Sequence, residues 1–187
     1  MTDTPLWVFG YGSLIWQPGF PVAERQIARL DGWARSFCMR SIHHRGTPED
    51  PGLVLALDRE NGASCEGIAF RVEDGAEAAT MDYLRERELI SSAYLEERLT
   101  VHTNSGTEVE TVTYVIDADH VQYCGGLPLE EQAQIIAAAH GGRGPNWEYL
   151  FNTADHLAEI GLHDPDLVWL KSRVHEILGR KTIVTDR

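Results

Sequence analysis

The stretch "WVFGYGSLIW", residues 7–16, joins two apolar segments through a break of small residues. The first apolar run is short and bounded by Pro5 and by a glycine, which predicts a β-strand over Leu6–Phe9. Glycine adopts backbone angles that other residues avoid, and it lets the backbone approach another group closely. The break is therefore either a loop that faces a ligand or a tight turn between two core segments, and this stretch alone does not distinguish them.

The first two thirds of the chain have the patterns of β-strands. Apolar side chains recur at every second position in three stretches, and a fourth stretch is rich in β-branched residues. These stretches are 53–57, 68–72, 99–101 and 109–116. Between them, Asn61-Gly62 and Ser105-Gly106 are predicted to form hairpin turns.

Helices dominate the last third of the chain. The sequence predicts one helix over about 75–90, within the strand region, and three more over about 129–139, 146–160 and 166–178. A run of strands followed by a run of helices favours an α+β protein with an antiparallel or mixed sheet. Sheets with this many strands often curl or close.

Length and composition limit the class of protein. The chain has 187 residues, 43% of them hydrophobic, which predicts a single domain over residues 1–187. No apolar run approaches the roughly 18 residues of a membrane span. The first residues lack a signal-peptide pattern, so we expect a cytoplasmic protein. The net charge of −13 argues against binding to nucleic acid or to an anionic membrane.

The cysteines and histidines show no metal-binding pattern. Cys38, Cys65 and Cys124 are far apart and form no CxxC pair, and no two of the eight histidines stand in an HxxxH pattern. We therefore expect free thiols, with neither a disulfide framework nor a metal site.

A carboxylate on the helix predicted over about 75–90 is the first candidate for chemistry. The spacing of Met81, Leu84 and Glu88 places them on one face of a helix. Burial at the end of an apolar face raises the pKa of a carboxyl group, as a general base requires. The alternative is a solvated carboxylate, because Arg85 and Arg87 are close neighbours in a charged helix end.

Other polar residues have weaker or ambiguous signals. The glycines of the first stretch lack the third glycine of GxGxxG and the lysine of a P-loop, so a nucleotide site is weakly supported. Ser13 has neither a Gly-x-Ser-x-Gly context nor an obvious partner histidine. Arg45 lies in a predicted turn, where it either binds a carboxylate or sits at the surface. Asn146 suits a helix N-cap, or else this helix start and Tyr149 line a pocket.

Four stretches of the chain occur together in a characteristic order. They are "VFGYGSLIW" near the start, "HHRGTPEDPGLV" around residue 50, "YLRERELISSAY" in the middle and "GPNWEYLF" before the last helix. As an ordered set they resemble the ChaC-type γ-glutamylcyclotransferases, the glutathione-specific branch of the γ-glutamylcyclotransferase superfamily. The resemblance covers nearly the whole chain and implies a mixed α+β fold, with helices around a small closed or nearly closed β-barrel.

The resemblance also implies a reaction. In this family the free α-amine of a γ-glutamyl group attacks its own γ-carbonyl, the ring closes to 5-oxoproline, and the remaining peptide leaves as an amine. With glutathione the leaving product is Cys-Gly, and no metal, cofactor or water is consumed. The attacking amine, with a pKa of about 8, must first lose a proton, and the leaving amine must gain one. One carboxylate of raised pKa can serve both steps.

The resemblance assigns these roles to numbered residues. The family's catalytic glutamate lies in the motif matched by Arg87-Glu88-Leu89, which implies that Glu88 is the general acid and base. The family's glycine-containing loop cradles the γ-glutamyl group, and its backbone donors would hold the α-carboxylate or the γ-carbonyl oxygen. The substrate-binding residues implied in this way are Val8, Phe9, Gly10, Tyr11, Gly12, Ser13, Leu14, Arg45, Tyr94 and Tyr149.

One stretch departs from the family pattern, and two other functions stay open. Many members carry glycine between the glutamate and the next tyrosine, whereas this chain has residues 89–93, "LISSA". Serine is small, so we expect the turn to survive. The open alternatives are the same reaction on another γ-glutamyl amine or dipeptide, and a non-catalytic regulatory role associated with cation transport. Binding alone would not need Glu88.

Overall fold

The structure is a computed structural model that describes residues 4–185, with side chains up to residue 181. The described chain falls into two compact units. The first contains the chain up to Ser36 together with Ala56–Tyr123, and the second contains Phe37–Leu55 together with the chain from Cys124 onward. The single domain predicted over residues 1–187 stays a prediction, and residues 1–3 and 186–187 lie outside the described part.

Five strands of the described chain form a closed barrel in the order β1-β3-β2-β4-β5. Strand β1 pairs antiparallel with β3 and in parallel with β5, where Val8 lies opposite Val112. The predicted α+β protein with a small closed mixed barrel is therefore confirmed. The strands are β1 (Trp7–Gly10), β2 (Val22–Ser41), β3 (Gly52–Val72), β4 (Tyr94–Thr103) and β5 (Glu108–Ile116).

The core of the first unit explains why β1 is a continuous apolar run. A strand with neighbours on both sides and both faces covered is apolar throughout rather than alternating. Val8 and Phe9 are fully buried, and Phe9 belongs to a cluster with side chains from the other four barrel strands. The cluster includes Ala28, Leu30, Leu57, Ala69, Val101 and Val115.

Of the two predicted hairpin turns, one is confirmed and one is wrong. Strands β4 and β5 are joined at Ser105-Gly106, where Gly106 has φ +87°. Asn61 and Gly62 instead lie inside β3, which runs without interruption through both stretches predicted as separate strands. Gly62 has φ +83°, and a glycine of this kind inside a strand accommodates a local bend while pairing continues on both sides.

Four α-helices lie within the described residues: α1 (Glu77–Glu88), α2 (Leu129–Ala138), α3 (Asn146–Glu159) and α4 (Pro165–Thr185). Each lies where a helix is predicted, and α4 continues beyond residue 178 to Thr185. Helix α1 belongs to the first unit. The other three pack against one another in the second unit, together with the two-residue strands β6 (His140–Gly141) and β7 (Gly144–Pro145). No helix of the described chain is both long and apolar enough to span a membrane.

Candidate active site

The loop after β1 turns tightly and offers backbone donors. Residues Ser13–Ile15 form one 3-10 turn, which is closed by a hydrogen bond of 2.9 Å from Ile15 N–H to the carbonyl oxygen of Gly12. A helical turn leaves its first N–H groups without intrahelical acceptors. Accordingly, the N–H groups of Gly12, Ser13 and Leu14 donate to no other residue of the described chain. These three donors are available to the oxygen atoms of a ligand.

The two glycines of this loop serve different purposes. A Cβ atom on Gly10 would lie 3.1 Å from the Phe70 ring and 3.2 Å from the Leu14 Cβ, so close packing favours glycine there. A Cβ atom on Gly12 would meet no described atom within 4 Å. Gly10 is therefore a packing glycine, as a tight turn between core segments requires, whereas Gly12 borders open space, and the binding of a ligand at this loop stays a prediction.

A buried arginine fixes the orientation of the peptide before Gly12. Arg35, on β2, donates from Nε to the carbonyl oxygen of Tyr11 at 2.7 Å, and from Nη2 to the carbonyl oxygen of Glu66. Because the peptide unit is planar, holding the Tyr11 carbonyl also sets the direction of the Gly12 N–H. Arg35 is not among the residues predicted for the site, although its charge within the largely apolar stretch "WARSFCM" was an available signal.

Glu88 is a largely buried carboxylate at the end of a helix. It is the last residue of α1, and its side chain is 18% exposed. Leu84, one turn earlier on the same face, is fully buried. Burial raises the pKa of the Glu88 carboxyl group, and the positive charge of Arg87 partly opposes this shift. The expectation that Glu88 continues a buried face, rather than standing in solvent, is confirmed.

Arg87 connects the Glu88 carboxylate to the loop after β1. Its Nε lies 3.2 Å from Glu88 Oε1, and its Nη2 donates to Ser13 Oγ at 2.9 Å. Its Nη1 donates to the carbonyl oxygen of Gln17 at 2.6 Å and to the Tyr83 hydroxyl at 3.1 Å. Arg87 thus links Ser13 and Glu88, two of the predicted site residues, although its own sequence context did not predict this role.

A second polar network lies on β4 and β5. The Tyr114 hydroxyl donates to Glu96 Oε2 at 3.2 Å, and Arg85 binds both oxygens of Glu96 at 2.9 and 3.0 Å. Burial raises the pKa of Tyr114, and the negative charges of Glu96 and Glu88 add to the shift. Tyr114 and Glu88 therefore lie close enough to interact electrostatically. Sequence patterns gave no indication of this network.

The other predicted site residues of the first unit differ in accessibility. The side chains of Val8 and Phe9 are fully buried, so contacts between these residues and a ligand would run through the backbone. Leu14 is also buried. Tyr94 begins β4 opposite Ile116 and is partly exposed.

The remaining two predicted residues, Arg45 and Tyr149, are neighbours in the second unit. The Arg45 guanidinium lies 5.9 Å from the centre of the Tyr149 ring, a cation–π distance. It also donates to the Pro145 carbonyl oxygen at 3.1 Å and to Glu148 Oε1 at 3.3 Å. The Tyr149 hydroxyl accepts a hydrogen bond of 3.3 Å from Leu55 N–H. These contacts stabilise the start of α3 and leave the predicted binding role of both residues as a prediction.

The predicted N-cap role of Asn146 is wrong. The N-cap position of α3 is Pro145, and no side chain caps this helix. The fully buried Asn146 amide instead accepts a hydrogen bond from Leu53 N–H and donates one to the Leu53 carbonyl oxygen, both at 2.8 Å. The Asn146 side chain thus pairs with one donor and one acceptor of a strand and makes no capping hydrogen bond to the helix end.

The described residues contain no arrangement of three or more His, Cys, Asp or Glu side chains that could hold a metal ion. Cys38, Cys65 and Cys124 are thiols rather than members of disulfide bonds. The chemistry that this part of the chain offers is therefore that of a buried carboxylate, two fixed arginines and the backbone donors of a loop.

Comparison with known proteins identifies the class and then the family. The fold is that of the γ-glutamylcyclotransferases: the chain superposes on the crystal structure of a glutathione-specific γ-glutamylcyclotransferase from yeast with a TM-score of 0.80. The two are 25% identical, and the superposition covers 94% of this chain and 100% of the yeast chain. The family model described as ChaC-like protein matches residues 6–177. The chain therefore belongs to the ChaC-like family.

Two relatives of known sequence show how far this similarity extends. The glutathione-specific γ-glutamylcyclotransferase of Escherichia coli is 34% identical to this chain, over 95% of this chain and 76% of the relative. γ-Glutamylcyclotransferase 2-1 of Arabidopsis thaliana is 38% identical, over 92% of this chain and 83% of the relative. The similarity thus spans nearly all of the chain and most of each relative.

Proposed function

We propose that this protein is a γ-glutamylcyclotransferase that converts glutathione into 5-oxoproline and Cys-Gly, with Glu88 as the general acid and base. The observation that carries the proposal is the pairing of two features. The Glu88 carboxylate is buried, and Arg87 ties it to the loop that holds the unpaired N–H groups. The relatives in yeast and E. coli that are named as glutathione-specific enzymes support the choice of substrate.

The first step is proton removal from the substrate's α-ammonium group. An α-ammonium group has a pKa of about 8, far above that of an ordinary carboxylate. Burial raises the pKa of Glu88, which narrows this gap and makes the proton transfer less unfavourable. Among the described residues, Arg87 is the partner of the carboxylate, at Oε1. The other oxygen, Oε2, is left to accept the proton.

The second step is ring closure. The neutral amine nitrogen forms a bond to the γ-carbonyl carbon, and negative charge develops on the carbonyl oxygen. Preorganised donors that stabilise such charge are usually the largest single contribution to catalysis of this kind. We assign this task, and the binding of the α-carboxylate, to the N–H groups of Gly12, Ser13 and Leu14. Folding the flexible γ-glutamyl chain into a near-attack shape lowers the barrier further.

The third step is departure of the peptide. The bond between the γ-carbon and the cysteine nitrogen breaks, and protonated Glu88 returns its proton to that nitrogen. The ring nitrogen still carries two protons after the attack, and it gives one of them to Glu88 as it becomes the lactam N–H; Glu88 passes this proton to the freed amine as well. Both protons removed from the attacking nitrogen thus end on the leaving amine, which departs as an ammonium group. Neither water nor a net proton is consumed, so the reaction needs no co-reactant.

The other predicted site residues complete the proposal. Val8, Phe9, Gly10 and Tyr11 support the loop from the end of β1, whereas Arg45, Tyr94 and Tyr149 are proposed to contact the substrate. We place the reaction in the cytoplasm, where cysteine side chains stay reduced as thiols. The net charge of −13 favours a small-molecule substrate over nucleic acid.

The decisive experiment measures 5-oxoproline and Cys-Gly after incubation of the purified protein with glutathione, without added metal or nucleotide. Glu88→Gln keeps the side-chain shape but cannot act as the base, so we expect its turnover to fall by about 10²–10⁴-fold. Glu86→Gln, an exposed position on the same helix, is the matched control and should retain activity. Equal activity of wild type and Glu88→Gln would show that the base is another residue.

Substrate choice is tested in the same assay with γ-Glu-Ala. Faster turnover of γ-Glu-Ala than of glutathione would leave the reaction in place and change the substrate. If the folded protein forms 5-oxoproline from neither compound, the enzymatic proposal fails, and a regulatory role of the kind associated with cation transport becomes the better explanation.

A further inference from the structure

The guanidinium of Arg87 contacts four different groups of the candidate site. One nitrogen of its guanidinium faces the Glu88 carboxylate, and the other two reach the Ser13 hydroxyl, the Gln17 carbonyl and the Tyr83 hydroxyl. Ser13 and Gln17 lie 74 and 70 positions earlier in the chain. Arg87 therefore bridges two segments that are distant in sequence and carry the two halves of the proposed chemistry.

The geometry of this bridge suits arginine alone among the cationic side chains. A guanidinium presents five N–H donors in a rigid planar fork, whereas a lysine ammonium is a compact point charge on a flexible stem. Because the fork is planar, fixing Nη1 and Nη2 also fixes the position of Nε, which forms an ion pair of 3.2 Å with Glu88 Oε1. The position of Glu88 Oε1 is thereby tied to the position of the loop.

The place of Glu88 in its helix explains why such a tie is needed. Glu88 is the last residue of α1, and the ends of helices fray and open more readily than their interiors. The turn that follows contains Ile90, which is 83% exposed and contributes little packing. A carboxylate at such a position keeps one orientation only if a neighbouring group holds it.

We propose that Arg87 is a positioning residue that holds the Glu88 carboxylate at a fixed place relative to the backbone donors of Gly12–Leu14. The inference rests on the proposed function, because it concerns the same reaction. Arg87 is not assigned a contact with the substrate or with the reacting atoms. Its effect is to keep the base at the amine while the loop holds the carbonyl oxygen, an arrangement in which displacements of about 1 Å reduce rates by about 10²-fold.

The test compares Arg87→Met and Arg87→Lys with wild type by kcat and KM for glutathione, per folded molecule. Urea unfolding of each variant gives the folded fraction, which separates a loss of position from a loss of stability. Arg98→Met is the matched control, because Arg98 pairs with Glu110 on the exposed face of β4 and β5. We expect kcat to fall by about 10²-fold in both Arg87 variants with KM changed less than about threefold, and the control to match wild type.

A double-mutant cycle keeps the proposal falsifiable even if Arg87→Met does not fold. Ser13→Ala removes one hydroxyl contact of the fork and leaves the contact with Glu88 in place. If Arg87 transmits the loop position to the carboxylate, the effects of Ser13→Ala and Arg87→Lys on kcat are less than additive.

The possible results distinguish a failure of the positioning role of Arg87 from a failure of the proposed function. Wild-type activity with unchanged kcat in the folded Arg87 variants overturns the positioning role alone, as does a rise in KM at unchanged kcat. Full additivity in the cycle also overturns it. Absence of 5-oxoproline in the wild type overturns the proposed function, and the positioning role with it.

Discussion

Arg35 Nε donates a hydrogen bond of 2.7 Å to the carbonyl oxygen of Tyr11, 24 positions earlier in the chain. Arg35 is 8% exposed, and its guanidinium also donates to the Glu66 carbonyl oxygen. Burying a charge is costly unless hydrogen bonds compensate for the lost water. Arg35 holds the beginning of the loop after β1 and Arg87 holds its continuation, so two arginines from different elements fix the same segment.

We predict that Arg35→Met both destabilises the protein and slows turnover. The substitution keeps much of the apolar stem but leaves two backbone carbonyls without their donor, which costs about 2–4 kcal/mol in free energy of unfolding. Turnover should fall because the Tyr11 carbonyl, and with it the Gly12 N–H, is no longer held. Urea unfolding and glutathione turnover measure the two effects. A stable variant with wild-type kcat would contradict the role given to Arg35.

Two glycines of the first unit lead to a paired prediction, because Gly67 is closely packed whereas Gly12 borders open space. A Cβ atom on Gly67 would lie 2.3 Å from the Gly10 carbonyl oxygen and 2.8 Å from the Phe9 ring, so Gly67→Ala must displace backbone. We expect it to destabilise the protein by about 1–3 kcal/mol. A Cβ atom on Gly12 would displace no described atom, so we expect Gly12→Ala to destabilise the protein less than Gly67→Ala does.

The activity of Gly12→Ala then reports on the substrate. If the γ-glutamyl group occupies the space beside Gly12, the added methyl group competes with it, and kcat/KM falls by at least about tenfold, or about 1.4 kcal/mol. Steady-state kinetics of the folded variant check this expectation. A Gly12→Ala protein with unchanged kcat/KM would place the substrate elsewhere.

Ser92 is the site of a third prediction, because it has φ +55°, in the left-handed region that glycine favours. It lies in the stretch where this chain lacks the glycine common in its family. We expect Ser92→Gly to raise the free energy of unfolding by about 1 kcal/mol, since relief of the backbone strain exceeds the added entropy of the unfolded chain.

Ser92→Ala is the control for the lost hydroxyl of Ser92, which lies 3.5 Å from His120 Nε2. Alanine keeps the strain and removes the same contact, so it should not stabilise the protein. Urea midpoints of the three proteins decide the matter. If alanine stabilises the protein as much as glycine, the backbone explanation is wrong.

Local patterns were sufficient for the parts of the fold that depend on neighbours in sequence. The apolar run of β1, the periodicity of α1 and the place of Glu88 on its buried face all follow from spacings of a few residues. Local patterns gave wrong predictions where contacts between residues distant in sequence determine the structure. Asn146 resembles an N-cap but binds the backbone of Leu53, 93 positions away.

The arginines of the site illustrate the same limit. Nothing near Arg35 or Arg87 in the sequence specifies that their partners are Tyr11 and Ser13, because those contacts exist only once the barrel has closed. The Asn61-Gly62 pair has the composition of a hairpin turn, yet it lies inside β3, where continued strand pairing outweighs the local preference. The resemblance to a family, rather than local pattern, is what indicated the closed barrel.

The last prediction concerns stability and pH at Glu88. Burial raises the pKa of this carboxyl group above its ordinary value of 4.5, so the folded state binds the proton more tightly than the unfolded state does. The stability that follows from protonation is fully present below about pH 4.5 and is lost as the pH rises through the folded-state pKa. At neutral pH, the folded state with ionised Glu88 is therefore less stable than it would be with a neutral side chain at this position, in spite of the contact with Arg87.

We expect Glu88→Gln, which is neutral at every pH, to be more stable than wild type at pH 7, and the difference to shrink toward zero as the pH falls below 4.5. Urea unfolding of both proteins at pH 4, 5.5 and 7 measures the difference, and Glu86→Gln on the exposed side of α1 corrects for a general change in charge. A Glu88→Gln protein that is less stable than wild type at pH 7 would show that the ion pair with Arg87 outweighs burial. The carboxylate would then be a stabilising partner rather than a group held ready for proton transfer at the expense of stability.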